Sequence, residues 1–293
     1  MTAYIFPGQA SQFEGMGQDL YHEHSAAKML MEQANDLLGY RLTDVMFTGS
    51  AEELKETRIT QPAVFLHSIV KARLAGDGFQ PGAVAGHSLG ELSALVAAGA
   101  LSFEEGLKLV RERAEAMQVA CEQNPGTMAA IVGMEDAQIE AICAAVDTEI
   151  VIPANYNCPG QLVVSGSVPG VQEVVARCQE AGARMAVLLP VGGAFHSPLM
   201  QPAQERLQAA IEAAAFQTPV CPVYQNVDAV PHTDPATIRT NLIAQLTAPV
   251  RWTQTMRRMI ADGVTAFVET GGNGKTLRGF VKRLDRKFPA SAL

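Results

Sequence analysis

This chain of 293 residues is short of the features that mark several large protein classes. It has five cysteines, Cys121, Cys143, Cys158, Cys178 and Cys221, and no two of them form a C-x-x-C pair. An odd and scattered set suggests neither a zinc site nor a disulfide framework, so no metal is expected. Basic residues are in deficit: 22 Lys and Arg stand against 30 Asp and Glu, a net charge of −8. That balance argues against a general nucleic-acid binder. No apolar run reaches the roughly 20 residues that a bilayer-spanning helix needs. The stretch Met1-Thr-Ala-Tyr-Ile-Phe-Pro7 lacks a basic region and a long apolar core, so no signal peptide is expected. Internal repeats and low-complexity segments are absent too. A composition of 48% hydrophobic and 18% charged residues fits a globular protein with a substantial core, either one large domain or two smaller ones. These exclusions leave a cytoplasmic enzyme or binding protein.

What is present begins with Gly86-His-Ser-Leu-Gly90, which fits G-x-S-x-G. Upstream, Gly82-Ala-Val-Ala85 is short, small and apolar, as a buried strand would be. Downstream, Glu91 to Ala100 is rich in Ala and Leu, with Gly99 as a stop signal. Ser88 is therefore expected at a sharp strand-to-helix turn, its hydroxyl raised beside the N–H groups of a helix start. The pattern alone arises often by chance, and the competing reading is a serine that caps the helix.

The rest of the chain reads as alternating strands and helices. Tyr4-Ile-Phe6 is an expected strand stopped by Pro7-Gly8, and helices are expected through about Leu38 and from Gln61 to Ala75. Leu107, Val110, Ala114 and Met117 recur at helical spacing within Phe103 to Cys121, and Ser102 and Glu105 resemble a capping box. The character changes at Asn124-Pro-Gly126. Strands at Thr127–Val132, Glu149–Ala154, Gln161–Ser165 and Arg184–Leu189 alternate with helices at Asp136–Val146 and Val171–Ala181. The order is β-α-β-β-α-β. The fold expected is α/β: a hydrolase-like large domain with a mainly parallel sheet (residues 1–125 and 192–293), carrying an inserted ferredoxin-like subdomain at 126–191. Beyond the insertion, helices are expected at Pro202–Ala215, Pro235–Leu246, Trp252–Asp262 and from Lys275, with strands at Val220–Asn226 and Thr265–Glu269.

A serine nucleophile needs a base. Among six histidines, His196 stands out because Gly192-Gly-Ala-Phe-His-Ser-Pro198 is a loop leading out of the insertion. His87 adjoins Ser88, but neighbours across a tight turn usually point apart. Spacing alone does not decide between a catalytic and a structural His196. Nor does it separate a functional Arg113 from a solvated one in Arg111-Glu-Arg113.

Phe6-Pro-Gly-Gln-Ala-Ser-Gln12, Gly86-His-Ser-Leu-Gly-Glu91, Arg113, Ala194-Phe-His-Ser197, Gln245-Leu246 and Pro249-Val250 fall in one order and spacing. In these motifs, over essentially its whole length, the chain resembles the malonyl-CoA:acyl-carrier-protein transacylases and the related acyltransferase domains of polyketide synthases. The resemblance implies that Ser88 accepts the acyl group and His196 acts as base and then acid. It implies backbone N–H groups of Gln9 and Leu89 as the oxyanion hole, Arg113 as the partner of the malonyl carboxylate, and the main-chain carbonyl of Gln245 as the group orienting His196. Gln61 and Asn157 match positions near the family's site. Phe195 resembles the bulky residue of malonyl-selective members, where a large ring leaves little room for an α-methyl branch. The implied substrates are a CoA thioester and a phosphopantetheinylated acyl carrier protein, with no further cofactor. The chain is expected to act as a monomer, in fatty-acid synthesis or as a freestanding polyketide acyltransferase. A serine thioesterase or esterase and a non-catalytic docking scaffold are the competing classes.

Two positions depart from the family pattern: Ala10 stands where glycine is usual, and Gly272-Asn-Gly-Lys275 replaces Gly-Pro-Gly-Lys. Ala10 is tolerable unless its φ is positive. Gly271-Gly-Asn-Gly-Lys-Thr276 looks like a phosphate loop, but Glu269 occupies the position of the first required glycine, so the match fails. Asp228 and Asp234 are rival partners for His196, more readily read as loop carboxylates. The last helix carries Lys275, Arg278, Lys282, Arg283, Arg286 and Lys287. On an acidic protein, that local basic cluster could steer an acidic carrier, or simply complement the helix dipole.

Overall fold

The computed structural model describes residues 1–293. Its strands, in chain order, are β1 Thr2–Phe6, β2 Ala83–Gly86, β3 Thr127–Val132, β4 Val151–Cys158, β5 Gln161–Gly166, β6 Met185–Leu188, β7 Val223–Tyr224, β8 Pro231–His232, β9 Ala266–Glu269 and β10 Ala290–Ala292. They form two sheets. The larger has the order β10-β9-β1-β2-β7-β8, and every pairing in it is parallel except the β7–β8 hairpin. Its central strand β1 buries Ala3, Tyr4, Ile5 and Phe6 alike. A parallel strand covered by helices on both faces must be apolar on both, hence the continuous run.

The smaller sheet has the order β4-β5-β3-β6 and is antiparallel throughout. The helices Asp136–Ala144 and Val168–Glu180 connect its strands. One sheet face, with Ala129, Ile131, Leu162 and Val164, joins Ile139, Val171 and Val174 of those helices in a core of its own. From the other face, Met128, Ala130 and Val163 belong to the main core. Alternation along β3 and β5 thus sends successive side chains into two different cores. The small sheet is also fastened to the chain beyond Gln245. Val250 donates to the Ala154 carbonyl at 2.8 Å and accepts from the Tyr156 N–H at 2.9 Å.

Several boundaries differ from those read in the sequence. The first helical region is two helices, Gln18–Glu23 and Ser25–Leu38, parted at the extended His24. Short helices at Leu42–Thr48 and Ala51–Lys55 and the edge strand β10 were not expected. Strand β4 runs on through Asn155 and Asn157, past the expected end at Ala154. Register shifts on both sides of Asn155–Tyr156 accommodate the two asparagines, which rarely favour a strand. The helix Phe103–Gln123 starts where its signal lies: Ser102 Oγ accepts the Glu105 N–H at 3.1 Å.

Candidate active site

Strand β2 ends at Gly86, and the helix Gly90–Ala97 begins four residues later. A side chain at Gly86 would put a Cβ 1.9 Å from the Gly90 carbonyl carbon, and one at Gly90 would meet the Phe6 carbonyl oxygen at 2.0 Å. The two glycines let the strand, the helix and β1 touch backbone to backbone. Between them Ser88 is held at φ 53°, a left-handed conformation that L-residues seldom adopt.

His196 comes from the loop after β6 and is 3% exposed. Its Nε2 lies 2.7 Å from Ser88 Oγ. Its Nδ1 faces two carbonyl oxygens, Gln245 at 3.0 Å and Ala248 at 3.2 Å. Carbonyls only accept, so Nδ1 carries the proton and Nε2 is the bare acceptor facing the serine hydroxyl. Burial, then the nearby Arg113 charge, pushes the imidazole pKa down to about 3, so the ring is neutral across the physiological range.

Arg113 is 1% exposed, on the inner face of the Phe103–Gln123 helix. Its guanidinium donates to Gln61 Oε1 at 2.8 Å, Ser88 Oγ at 2.9 Å and Gln245 Oε1 at 3.3 Å. All three acceptors are neutral. Burial draws its pKa down to about 10, which still leaves it charged near neutrality. Gln61 is oriented from behind, its Nε2 donating to Met117 Sδ at 3.3 Å. Gln245 serves the site twice: its carbonyl meets His196, and its side-chain amide donates to the Ser88 carbonyl at 3.1 Å.

Ser88 and His196 open on a cleft of about 420 Å³ between the two sheets; Arg113, Gln61 and Gln245 lie behind them and do not line it. Gln9, Ser88, Asn157, Phe195 and His196 all line it, and Met117 and Val163 supply apolar wall. The backbone N–H groups of Gln9 and Leu89 have no acceptor within the protein. His87 does not serve Ser88: its Nε2 pairs with Asn157 Oδ1 at 2.8 Å, and burial lowers its pKa to about 4. Three of the four non-glycine residues with positive φ, namely Ala10, Ser88 and His196, border this cleft. Backbone strain concentrates where side chains must be aimed. Ala10, at φ 73°, therefore sits in the conformation that the family's glycine adopts freely.

The remaining sequence candidates separate cleanly. Asp228 pairs with His232 at 2.7 Å, and Asp234 caps the helix Pro235–Ala244 through the Thr237 N–H at 2.8 Å; neither bonds His196. In the glycine loop Gly271–Gly274, a Cβ on Gly272 would meet Ser11 Oγ at 2.5 Å, so the loop is a packed turn against the N-terminal loop. Asn273, in place of the usual proline, accepts the Lys275 N–H at 2.9 Å and closes that turn. The final helix Thr276–Leu284 borders the cleft through Leu277 and Phe280. Lys275, Lys282 and Arg283 are exposed at this rim, and Arg283 reaches across to Gln161 Oε1 at 3.0 Å. Arg278 is half-buried, its N–H held by Glu269 at 2.9 Å. No three His, Cys, Asp or Glu side chains gather as metal ligands. All five cysteines are free, and no helix is long and apolar enough to cross a membrane.

Sequence reasoning missed the layer beneath the serine. Glu91 is fully buried there and accepts the Asn226 N–H at 2.7 Å and Gln225 Nε2 at 3.2 Å. Burial pushes its carboxyl up to about 7. Asn226 in turn bonds the backbone on both sides of the turn. Glu91 was visible only as the last residue of its motif, and Asn226 has no local signal at all.

A serine on a strained elbow, hydrogen-bonded to a neutral buried histidine, is the machinery of acyl transfer chemistry. Residues 3–287 match the model of the acyl transferase domain family, so the protein is an acyltransferase of that family. It is similar to the malonyl CoA-acyl carrier protein transacylase of Bacillus subtilis, 44% identical over 99% of this chain and 92% of that protein. Its identity to the Haemophilus influenzae transacylase is 43%, over 96% and 91% of the two chains. Among solved structures, the Coxiella burnetii transacylase superposes with a TM-score of 0.96 at 39% identity, covering 100% of this chain and 93% of that one. A malonyl-transacylase solved in complex with a type II polyketide synthase acyl-carrier protein gives 0.95 at 37% identity, covering 100% and 95%. Within the acyltransferases, the chain belongs to the malonyl CoA-acyl carrier protein transacylase family.

Proposed function

We propose that the protein moves a malonyl group from malonyl-CoA to the phosphopantetheine thiol of an acyl carrier protein, in fatty-acid synthesis, through a covalent intermediate on Ser88. The observation that carries this reading is the double contact of Ser88 Oγ, 2.7 Å from His196 Nε2 and 2.9 Å from the buried Arg113 guanidinium. His196 Nε2 takes the hydroxyl proton as Oγ bonds the thioester carbonyl carbon. The carbonyl oxygen becomes an anion, for which the unengaged N–H groups of Gln9 and Leu89 are the proposed donors, each typically worth about 3 kcal/mol. The intermediate collapses, the C–S bond breaks, and His196 returns its proton to the CoA thiolate. The carrier thiol then attacks malonyl-Ser88 by the same steps in reverse, a ping-pong scheme. Serine and histidine supply the nucleophile and base, so the scheme calls on no cofactor beyond the two thiol carriers.

Arg113 supports malonyl as the acyl group. A buried cation whose partners are all neutral oxygens is poised for an anion, and a planar guanidinium grips a carboxylate with two parallel bonds. Phe195, buried at the cleft wall, is read as a bar to an α-methyl branch, a contact worth up to about a hundredfold in selectivity. Lys275, Arg278, Lys282 and Arg283 are the proposed docking residues for an acidic carrier. The small sheet and its helices, residues 126–191, are read as a ferredoxin-like subdomain set into a hydrolase-like domain of residues 1–125 and 192–293. The similar malonyl-transacylase seen with a polyketide carrier favours, as a second reading, service to a polyketide assembly line.

The test is intact-protein mass spectrometry after brief mixing with malonyl-CoA, beside Ser88→Ala and with acetyl- and methylmalonyl-CoA as rival donors. One malonyl adduct, lost in the variant and weak with the rivals, is expected. Free malonate accumulating without an adduct would instead mark a hydrolase.

A further inference from the structure

The turn at Ser88 leaves three consecutive N–H groups, those of Ser88, Leu89 and Gly90, at the start of one helix. They do not share one fate. Gly90 donates to the His87 carbonyl at 2.9 Å, a bond internal to the turn. Leu89 has no acceptor within the protein. Ser88 donates at 2.7 Å to the side-chain oxygen of Asn226, a residue 138 positions away. The same carboxamide donates from Nδ2 to the Gly86 carbonyl at 2.7 Å. Asn226 therefore spans the elbow, holding the peptide units on either side of the strained residue with one rigid planar group.

Asn226 is itself held. It is fully buried two residues beyond β7, and its own N–H is bound by Glu91 Oε2 at 2.7 Å. The other Glu91 oxygen takes Gln225 Nε2 at 3.2 Å. Glu91 sits in the first turn of the helix that Ser88 precedes, so strand β7 and that helix are tied by a buried carboxylate. Buried polar groups with every partner supplied fix one arrangement, because each alternative leaves a group unpaired.

We propose that Asn226, oriented by Glu91, is a positioning residue for acyl transfer: it braces the elbow with Ser88 aimed at His196 and withdraws the Ser88 N–H from the oxyanion, leaving that site to Leu89 and Gln9. The inference rests on the proposed acyl-serine chemistry and deepens it. Asn226 does not line the cleft and bonds the Ser88 N–H, so it acts through Ser88. Its loss lowers the acylation rate and spares binding of the CoA thioester.

The experiment compares wild type with Asn226→Ala, Asn226→Asp and Glu91→Gln, each checked for folding by circular dichroism and thermal melting. For Asn226→Ala the rate of malonyl-Ser88 formation is expected to fall about 100-fold, with the KM for malonyl-CoA within about threefold of wild type. Asn226→Asp keeps the oxygen facing Ser88 but, when ionised, replaces the donor to Gly86 with an anionic oxygen that repels that carbonyl. Protonation restores that donor, so its rate relative to wild type is expected to climb about tenfold from pH 8 toward pH 5. A relative rate that does not change with pH would overturn the proposal even if Asn226→Ala fails to fold. So would a folded Asn226→Ala that acylates within threefold of wild type. Labelling of Ser88 by a fluorophosphonate, followed in parallel, separates the two readings. A wild type that is labelled but takes no malonyl group overturns the proposed substrate. Equal labelling of wild type and folded Asn226→Ala overturns the brace.

Discussion

Behind Ser88, beneath the floor of the cleft, Arg113 is 1% exposed and its guanidinium meets three neutral oxygens. At the rim, Arg283 is exposed and reaches Gln161 with one hydrogen bond. The side chain is the same and the physics is not. A charge without water has little to screen it, so its interaction with a carboxylate that reaches it is strong. A charge in water is screened within about 10 Å at ordinary salt, and it steers a partner more than it holds one. The floor is thus suited to choosing the acyl group and the rim to meeting the macromolecule that receives it.

The largest effect is expected at the floor's centre. Ser88→Ala should leave no acyl-enzyme, and His196→Ala should lower turnover by about 10³-fold or more, read as adduct formation after rapid quench. Arg113→Ala tests whether the buried charge selects for a carboxylate. Its kcat/KM for malonyl-CoA should fall by about 10²- to 10³-fold, and that for acetyl-CoA by much less. Equal losses with both donors would mean that the bond to Ser88 Oγ, and not acyl recognition, is what Arg113 supplies.

Burial of His87 and His196 at the floor, and of His67 beside the N-terminal loop, also predicts a response to acid. His67, His87 and His196 have pKa values of about 4, 4 and 3, each below the ordinary 6.5, chiefly through desolvation. As pH falls below 6.5 the unfolded chain gains protons that the native chain refuses, so stability is lost from there toward pH 4. Glu91, raised to about 7, has the opposite sign: its native proton stabilises below the unfolded carboxyl value and that contribution is lost as pH rises through 7. Asp136 and Glu269, also raised chiefly by burial, side with Glu91, but against three deeply depressed imidazoles the urea midpoint should still fall as pH drops from 6.5 to 4.5, and a constant midpoint would contradict the buried neutral imidazoles.

The rim should answer more weakly. Lys282→Glu with Arg283→Glu is expected to raise the KM for carrier about fivefold at low salt, less at high salt, and to leave the KM for malonyl-CoA alone. Both values staying put would remove the rim from carrier docking. Smallest is Ala10→Gly, which relieves a left-handed alanine at φ 73°. Glycine's greater freedom in the unfolded chain offsets part of that gain, and a net stabilisation of about 0.5 kcal/mol is expected by denaturant titration.

How much was legible follows the range of the interactions. The strand Thr127–Val132 and the helix from Phe103 were readable because a local period and a local cap specify them. The Ser88 turn was readable because its two glycines are obligatory for contacts made within a few residues and with β1. The Leu42–Thr48 helix, short and without a side-chain cap, was not. Neither was β10, a three-residue edge strand that exists by pairing with β9.

By itself, then, the sequence determined the alternation of elements, the sharp turn under Ser88 and, through resemblance, which residues to watch. Only the tertiary structure decided that Nδ1 of His196 faces carbonyls, that Arg113 is buried among neutral oxygens, and that Asn226 and Glu91 brace the elbow. Those facts depend on desolvation and on hydrogen bonds between residues 25 to 140 positions apart, which no local pattern encodes.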